Sequence, residues 1–499
     1  MDIGLERRYD RANPRGSCLP PARRYSRKGL FLAMTRKVMP FQYLVGLAAR
    51  PVFCTIVLFA AIVGLVSTAS AQASETVLYS FQGGSDGYVP VGSIAFDKAG
   101  NLYGATTYTS PCVTSFQCGS VYELSPPPQQ GGAWTQTTLY TFQGHSKGDG
   151  GAPTGGLIQD AAGNLYGVTG YGGTGPCILL GTPTGCGAVY EMIRPAQPGG
   201  VWKEKVLYSF LGNQDGQFPF GDLVFDKQGN LYGATWFGGG KGDTCNSLYP
   251  YCGTIFQLSP PRTTHKGSAW TEKVLYSFQG LDAGDGGEPN GGLVFDESGN
   301  IYGTTSVGGS NVPLCNNGCG TAFELVRSPK GGPWTEQLLY SFLNYPDDDG
   351  ARPNGNPILI NGTFYGTTLG GGEDEVGTVF SLTPPPQNEG AWTETLIHVF
   401  TRGDDGASPS ALIVGPDRKF YGSSGSGPSR YGLIYRMDPP KQKGDAWKFV
   451  TAYNFTGPPD GVYAVALKFG KNNTLYGTTS YGGTGSCNGG CGTVFEIAH

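Results

Sequence analysis

Residues 222–235 read Asp-Leu-Val-Phe-Asp-Lys-Gln-Gly-Asn-Leu-Tyr-Gly-Ala-Thr. Asp222 to Asp226 and Asn230 to Thr235 are short β-prone runs, and the Lys-Gln-Gly between them is a turn with glycine where φ must be positive, so the stretch is a tight hairpin. Outward from it, a long loop rich in Gly and Cys leads to a third run, Thr254 to Leu258. A Pro-rich connection then leads to a longer fourth, Trp270 to Phe278. This four-strand unit recurs. The Leu-Tyr-Gly around Tyr103 returns, with small variations, at Tyr166, Tyr232, Tyr302, Tyr365, Tyr421 and Tyr476, at spacings of 63, 66, 70, 63, 56 and 55 residues. A second signature, Gly-x-Val/Ile-Phe/Tyr-x-Leu with single departures, begins at Gly119, Gly187, Gly253, Gly320, Gly377, Gly432 and Gly492. A third, Leu-Tyr-Ser/Thr-Phe, ends at Phe81, Phe142, Phe210, Phe278 and Phe342, with looser copies ending at Phe400 and Phe455. Seven copies of four antiparallel strands predict an all-β fold, a seven-bladed β-propeller, because one small twisted sheet cannot bury both faces alone. A β-helix coil uses far fewer residues per repeat.

The ends of the repeat array fit a ring. It begins with a fourth-strand sequence, Thr76 to Phe81, and stops with a third-strand sequence, Thr493 to Ile497, so the N-terminal strand is expected to complete the last blade and leave no open sheet edge. Six tryptophans, Trp134, Trp202, Trp270, Trp334, Trp392 and Trp447, mark the internal fourth strands.

Composition agrees. Glycine is 83 of 499 residues, yet aromatics reach 12%, so the chain packs rings and is not low-complexity. Charged residues are only 14% and the net charge is -4, which argues against a nucleic-acid binder. Residues 1–71 hold 11 Lys and Arg against 3 Asp and Glu, whereas the remainder has 23 basic and 35 acidic groups, net -12. In that basic stretch Arg36, Lys37 and Arg50 precede an uncharged apolar run, Val52 to Val66, then Ala69-Ser70-Ala71. This is the layout of a secretory signal peptide cleaved after Ala71, or after Ala73 as second choice, and the run is shorter than the about 20 residues of a membrane span. Residues 1–71 are therefore expected to be an N-terminal extension plus signal peptide, with translation from Met1, Met34 or Met39, and 72–499 a single propeller domain. A secreted or periplasmic address follows, with cell-surface association open.

Ten cysteines remain beyond the leader, in five close pairs: Cys112 with Cys118, Cys177 with Cys186, Cys245 with Cys252, Cys315 with Cys319, and Cys487 with Cys491. In an exported chain these read as loop disulfides. Zinc would need four ligands per site, and the chain has four histidines in all, so no metal site is expected.

Units such as Gly299-Asn300-Ile301-Tyr302-Gly303-Thr304-Thr305, and Tyr481-Gly482-Gly483 leading to Gly490-Cys491-Gly492-Thr493-Val494-Phe495, resemble the GloVer tandem repeat of exported bacterial proteins with a choice of anchor, over about residues 76 to 497. The resemblance implies export and a repeat array; it brings no assigned activity and no catalytic residue. The sequence stops at His499 without an anchor segment, which favours a freely soluble product. Units five and six depart from the pattern: both lack cysteines, and Asn361-Gly362 replaces the Asp-x-x-Gly-Asn turn in the fifth.

In a propeller the loops from second to third strand and from fourth strand to the next first strand open on one face. Here one set holds the cysteines and the other an Asp-Gly pair in every unit, at Asp86, Asp149, Asp215, Asp285, Asp349, Asp405 and Asp460. Seven carboxylates around the axis would suit Ca²⁺ or a cationic ligand. The competing reading is structural, since Asp caps its own turn and Gly takes positive φ. The same face carries loop aromatics, Tyr108, Tyr171, Trp236, Phe237, Tyr249, Tyr251 and Tyr481, and charges including Lys241, Asp243, Glu373, Asp374, Glu375 and Arg430. Trp236 is the one tryptophan outside the fourth-strand position. Such rings either stack on a ligand's sugars or pack over neighbouring loops. His145, His265, His398 and His499 are scattered, and His398 stands where other units have Tyr. No Gly-x-Ser-x-Gly elbow, phosphate loop, His-Glu-x-x-His or sialidase-type Asp box occurs. Two classes of function follow. The first is a non-catalytic binding module for a glycan or protein ligand on the loop-rich face; the second is a glycoside hydrolase or lyase using paired carboxylates there. Neither needs a cofactor, and a monomer is expected.

Overall fold

The computed structural model describes residues 74–498 apart from 111–117, 130, 241–251, 263–268, 313–314, 316, 330, 345–348, 387–389 and 443. The expected leader, signal run and cleavage site lie outside the described residues. The described residues form seven antiparallel blades. Blade three, the unit read first, has strands Gln217–Phe225, Leu231–Phe237, Thr254–Ser259 and Thr271–Ser277, paired in that order. Blades two and four split the first strand into two pieces, Gly150–Pro153 with Ile158–Gln159 and Gly286–Pro289 with Val294–Phe295. Ring closure is as the chain ends imply: Ser74–Ser80 is the fourth strand of blade seven and pairs antiparallel with Thr493–Ala498, Val77 opposite Phe495.

The three sequence signatures turn out to be parts of one packing device. The Phe that ends each Leu-Tyr-Ser/Thr-Phe run meets, edge to face, the third-strand aromatic of the next blade. Phe81–Tyr122, Phe142–Tyr190, Phe210–Phe256, Phe278–Phe323, Phe342–Phe380, Phe400–Tyr435 and Phe455–Phe495 have ring centroids 4.9–5.5 Å apart. Such pairs contribute about 0.5–1.5 kcal/mol beyond the area they bury. The Gly of Leu-Tyr-Gly makes room for that same ring: a Cβ on Gly104, Gly167, Gly233, Gly303, Gly366, Gly422 or Gly477 would collide with the third-strand aromatic lying across it. The Tyr of the motif reaches back to its turn, as where Tyr103, Tyr166, Tyr232 and Tyr421 donate to Asp97, Asp160, Asp226 and Asp417. In blade five, Asn361 and Gly362 both adopt positive φ, +51° and +79°, so the replaced motif is a two-residue hairpin turn.

First strands meet at the axis. A Cβ on Gly92, Gly155, Gly221, Gly291 or Gly355 would strike backbone of the neighbouring blade, so bare glycine is what lets these strands converge. Beside this glycine ring, Asp222 stands where other blades carry Ser93, Gly156, Gly292 and Asn356. Its carboxylate accepts from Ser93 Oγ, from the Gly156 N–H at 2.6 Å and from Asn356 Nδ2 at 2.8 Å, joining blade three to blades one, two and five. Lys468 of blade seven donates to the Ile94 carbonyl at 2.8 Å; burial lowers its pKa, and Asp222 acts against that shift.

Candidate binding face

Each Asp of the Asp-Gly pairs is engaged by its own turn. Asp86, Asp149, Asp215, Asp285, Asp349 and Asp460 accept from the hydroxyls of Tyr79, Tyr140, Tyr208, Tyr276, Tyr340 and Tyr453 at 2.8–3.0 Å. In blade six, His398 Nε2 takes the tyrosine's place opposite Asp405 at 3.0 Å, and burial lowers the pKa of that ring. Backbone N–H groups add to each: Gln143 to Asp149 at 2.7 Å, Leu211 to Asp215 at 2.8 Å, Asn344 to Asp349 at 2.5 Å. Burial raises the pKa of Asp149 and Asp285 despite these donors. The Asp carbonyls bind the facing loop as well: Gly173, Gly309, Gly372 and Gly483 N–H groups donate to Asp149, Asp285, Asp349 and Asp460. Among the described residues no group of three or more His, Cys, Asp and Glu is placed to hold a metal ion.

A second acidic set, outside the three repeated signatures, lies beside these carboxylates. Glu75, Glu204, Glu272, Glu336 and Glu394 sit at the start of fourth strands, each with a buried Oε1 lacking a hydrogen-bond partner. Burial, then the charge of Asp460, Asp149, Asp215, Asp285 and Asp349 respectively, raises their pKa values to about 8, 8, 7, 7 and 7. The available signal was Trp-x-Glu after four linker tryptophans, with Gln136 and Phe449 in the glutamate's place in blades one and six.

Among the described residues three complete disulfides pin the loops of this face: Cys177–Cys186, Cys315–Cys319 and Cys487–Cys491. Cys118 and Cys252 are disulfide-bonded too, while their expected partners Cys112 and Cys245 lie outside the described residues. The bridges lean on the adjoining Asp-Gly loop, for a Cβ on Gly83 or Gly212 would meet the Cys487 or Cys177 sulfur.

Next to each bridge runs a repeated blade-to-blade bond. The N–H groups of Val89, Ala152, Phe218, Glu288, Arg352, Ser408 and Tyr463 donate to the carbonyls of Cys491, Cys118, Cys186, Cys252, Cys319, Val376 and Tyr431 at 2.6–3.0 Å. All seven donors have left-handed φ, between +51° and +58°. Val376 and Tyr431 make the same bond in the blades without cysteine, so the bond does not depend on the bridge.

The candidate aromatics gather around these positions. Trp236 is half-buried and packs on Phe220 at 4.9 Å, Phe237 at 5.4 Å and Phe218 at 5.8 Å. It is therefore held by rings of its own blade, two of which, Phe218 and Phe220, belong to no repeated signature. Tyr171 of blade two crosses to Phe218 at 4.9 Å, Tyr108 lies 5.2 Å from Tyr88, and Tyr481, 40% exposed, lies 6.2 Å from Tyr463. Phe237 is buried. Tyr249 and Tyr251, with Lys241 and Asp243, lie outside the described residues. Glu375 accepts from Asn344 Nδ2 at 3.0 Å, and Glu288 from Ser306 Oγ at 3.5 Å.

Family comparison agrees with the repeat geometry. The model of the Gloeobacter/Verrucomicrobia repeat matches residues 63–243, 178–387 and 314–499, together spanning every blade. The chain belongs to this repeat family. No curated protein matches this Gloeobacter/Verrucomicrobia repeat chain in sequence. Solved structures similar to it include a gluconolactonase of Xanthomonas campestris, at 13% identity and TM-score 0.37, covering 87% of this chain and 93% of that one. A glucose dehydrogenase has 14% identity and TM-score 0.40 over 85% and 99%. A luciferin-regenerating enzyme has 11% and 0.39 over 86% and 95%. Likeness at this level carries no argument about chemistry. Among the described residues no helix is long and apolar enough to cross a membrane.

Proposed function

We propose that this repeat protein is an exported, non-catalytic propeller that binds a glycan on its loop-rich face. The observation that carries the reading is a contrast between two kinds of side chain there. The ring carboxylates are held by Tyr, His and backbone donors of their own turns, whereas the aromatics of blades one, two, three and seven gather around disulfide-pinned loops. Aromatic planes in a pre-ordered setting recognise sugars with little loss of side-chain entropy. The bridges support an oxidising compartment, as expected for an exported chain. The proposal needs no cofactor.

A glycan array with the chain from residue 72 onward, run beside hydrolase and lyase substrates, tests it. Binding without turnover that Trp236→Ala weakens supports the reading. Turnover would favour a carbohydrate-active enzyme, and a protein ligand with no glycan retained would replace the glycan.

A further inference from the structure

The seven left-handed residues that bond blade to blade share one backbone geometry and no side chain: Val89, Ala152, Phe218, Glu288, Arg352, Ser408 and Tyr463. A left-handed conformation is unfavourable for any residue with a Cβ, and more so for branched Val89. This chain puts glycine at most of its other left-handed positions and at none of these seven. Side chains are retained there against the backbone's preference. The backbone bond is the same in all seven while the side chain differs in each, so what these positions present varies around the face, although Ala152 is itself buried.

Their order around the ring is not random. Blades seven, one, two and three present Tyr463, Val89, Ala152 and Phe218; blades four, five and six present Glu288, Arg352 and Ser408. The positions five residues after the Tyr of each Leu-Tyr-Gly divide between the same blades. Tyr481, Tyr108, Tyr171 and Phe237 belong to blades seven, one, two and three, against Val307, Gly370 and Ser426 in blades four, five and six. Ring closure makes the four aromatic blades consecutive, since the Val89 N–H of blade one donates to the Cys491 carbonyl of blade seven at 3.0 Å. Each of these blades brings its own ring: Tyr108 and Tyr171 are half-buried, Tyr481 is 40% exposed, and in blade three, where Phe237 is buried, the half-buried rings are Phe218 and Trp236. The rings lead from blade to blade, Tyr171 of blade two meeting Phe218 of blade three at 4.9 Å. Successive planes along an arc suit a chain whose successive units each offer one apolar C–H face and an edge of hydroxyls.

We propose that the face binds an extended neutral oligosaccharide, its successive sugars laid along the aromatic arc of blades seven, one, two and three. Glu288, Arg352 and Ser408 face the hydroxyl edge and set which sugar is preferred. The inference rests on the glycan reading above and adds the length of the ligand and its track.

The test is isothermal titration of the chain from residue 72 onward with cello-, xylo-, manno- and chito-oligosaccharides of one to six units. For at least one series, affinity should rise about tenfold or more from two to four units and then level off, as each added stacking contact is worth a few-fold. Tyr108→Ala and Tyr481→Ala should weaken the tetraose about fivefold each, while Tyr108→Phe, which keeps the plane, should restore binding. Arg352→Ala should change the ranking among series. Binding of one or two units as tight as of six, or equal losses for Tyr108→Ala and Tyr108→Phe, would overturn the track and leave the glycan reading standing. Binding of no series would overturn both.

Discussion

Asp222→Ala should be the most damaging single change of a charged residue on the axis. The carboxylate collects donors from residues 129, 66 and 134 positions away, Ser93, Gly156 and Asn356, so it joins four of the seven blades where their first strands converge. A hydrogen bond to a charged group contributes about 1.5–3 kcal/mol, and a buried donor left unmade costs about 1–3 kcal/mol. Asp222 and Ser93 are half-buried and Asn356 is exposed, so two of the three partners can turn to water; the Gly156 N–H cannot move. The loss should therefore be about 2–4 kcal/mol rather than the sum of three bonds. For a domain of this size that lowers Tm by roughly 2–5 °C, by the scaling of unfolding entropy with chain length. Asp222→Asn keeps one acceptor oxygen but turns an amide toward the Asn356 amide, and should fall between wild type and alanine. Urea midpoints and thermal melts read the effect, with exposed Glu297→Ala as control. A midpoint for Asp222→Ala within about 0.5 kcal/mol of wild type, the range of ordinary surface changes, would refute the role of this carboxylate.

Three further outcomes can be measured. Glu75, Glu204, Glu272, Glu336 and Glu394 have folded pKa values of about 7–8 against an ordinary 4.5, so the folded state holds their protons more tightly. Their contribution is fully favourable below about pH 4.5 and is lost as pH rises through 7–8, so Tm should fall between pH 5 and 9, and combined Glu→Gln changes should flatten that slope. Tyr122, Tyr190 and Tyr435 bury hydroxyls without partners, where the other four blades carry Phe. Tyr190→Phe should be neutral or stabilising by about 1 kcal/mol, and a loss of more than that in chemical denaturation would expose a missed partner. Reduction should cost about 2–3 kcal/mol per bridge in the chain-entropy model for loops as short as Cys315–Cys319 and Cys487–Cys491, and peptide mapping without reduction should find no free thiol among the ten repeat cysteines.

The architecture was legible because every signature that repeats is a part that repeats. Leu-Tyr-Gly, Gly-x-Val-Phe-x-Leu and Leu-Tyr-Ser-Phe are respectively the space, the ring and the opposing ring of one inter-blade contact, and seven contacts leave seven traces. Asp-Gly was legible for the same reason, and the Tyr or His donor of each Asp stands in the preceding fourth strand. The recurring Trp-x-Glu was equally visible, but its meaning depends on burial beside Asp149, Asp215, Asp285 and Asp349, a distance that no sequence spacing encodes.

Positions that do not repeat were legible only as exceptions. Trp236 stood out as a lone tryptophan, yet its neighbours Phe218 and Phe220 did not, because a strand of alternating aromatics reads as ordinary core. The left-handed residues left no trace at all. Positive φ is normally announced by Gly or Asn, and here the seven positions carry Val, Ala, Phe, Glu, Arg, Ser and Tyr. Their common bond to the preceding blade fixes the backbone whatever the side chain is. That separation lets substitution alter what the face presents without loosening the ring, at positions that a search for repeats is bound to overlook.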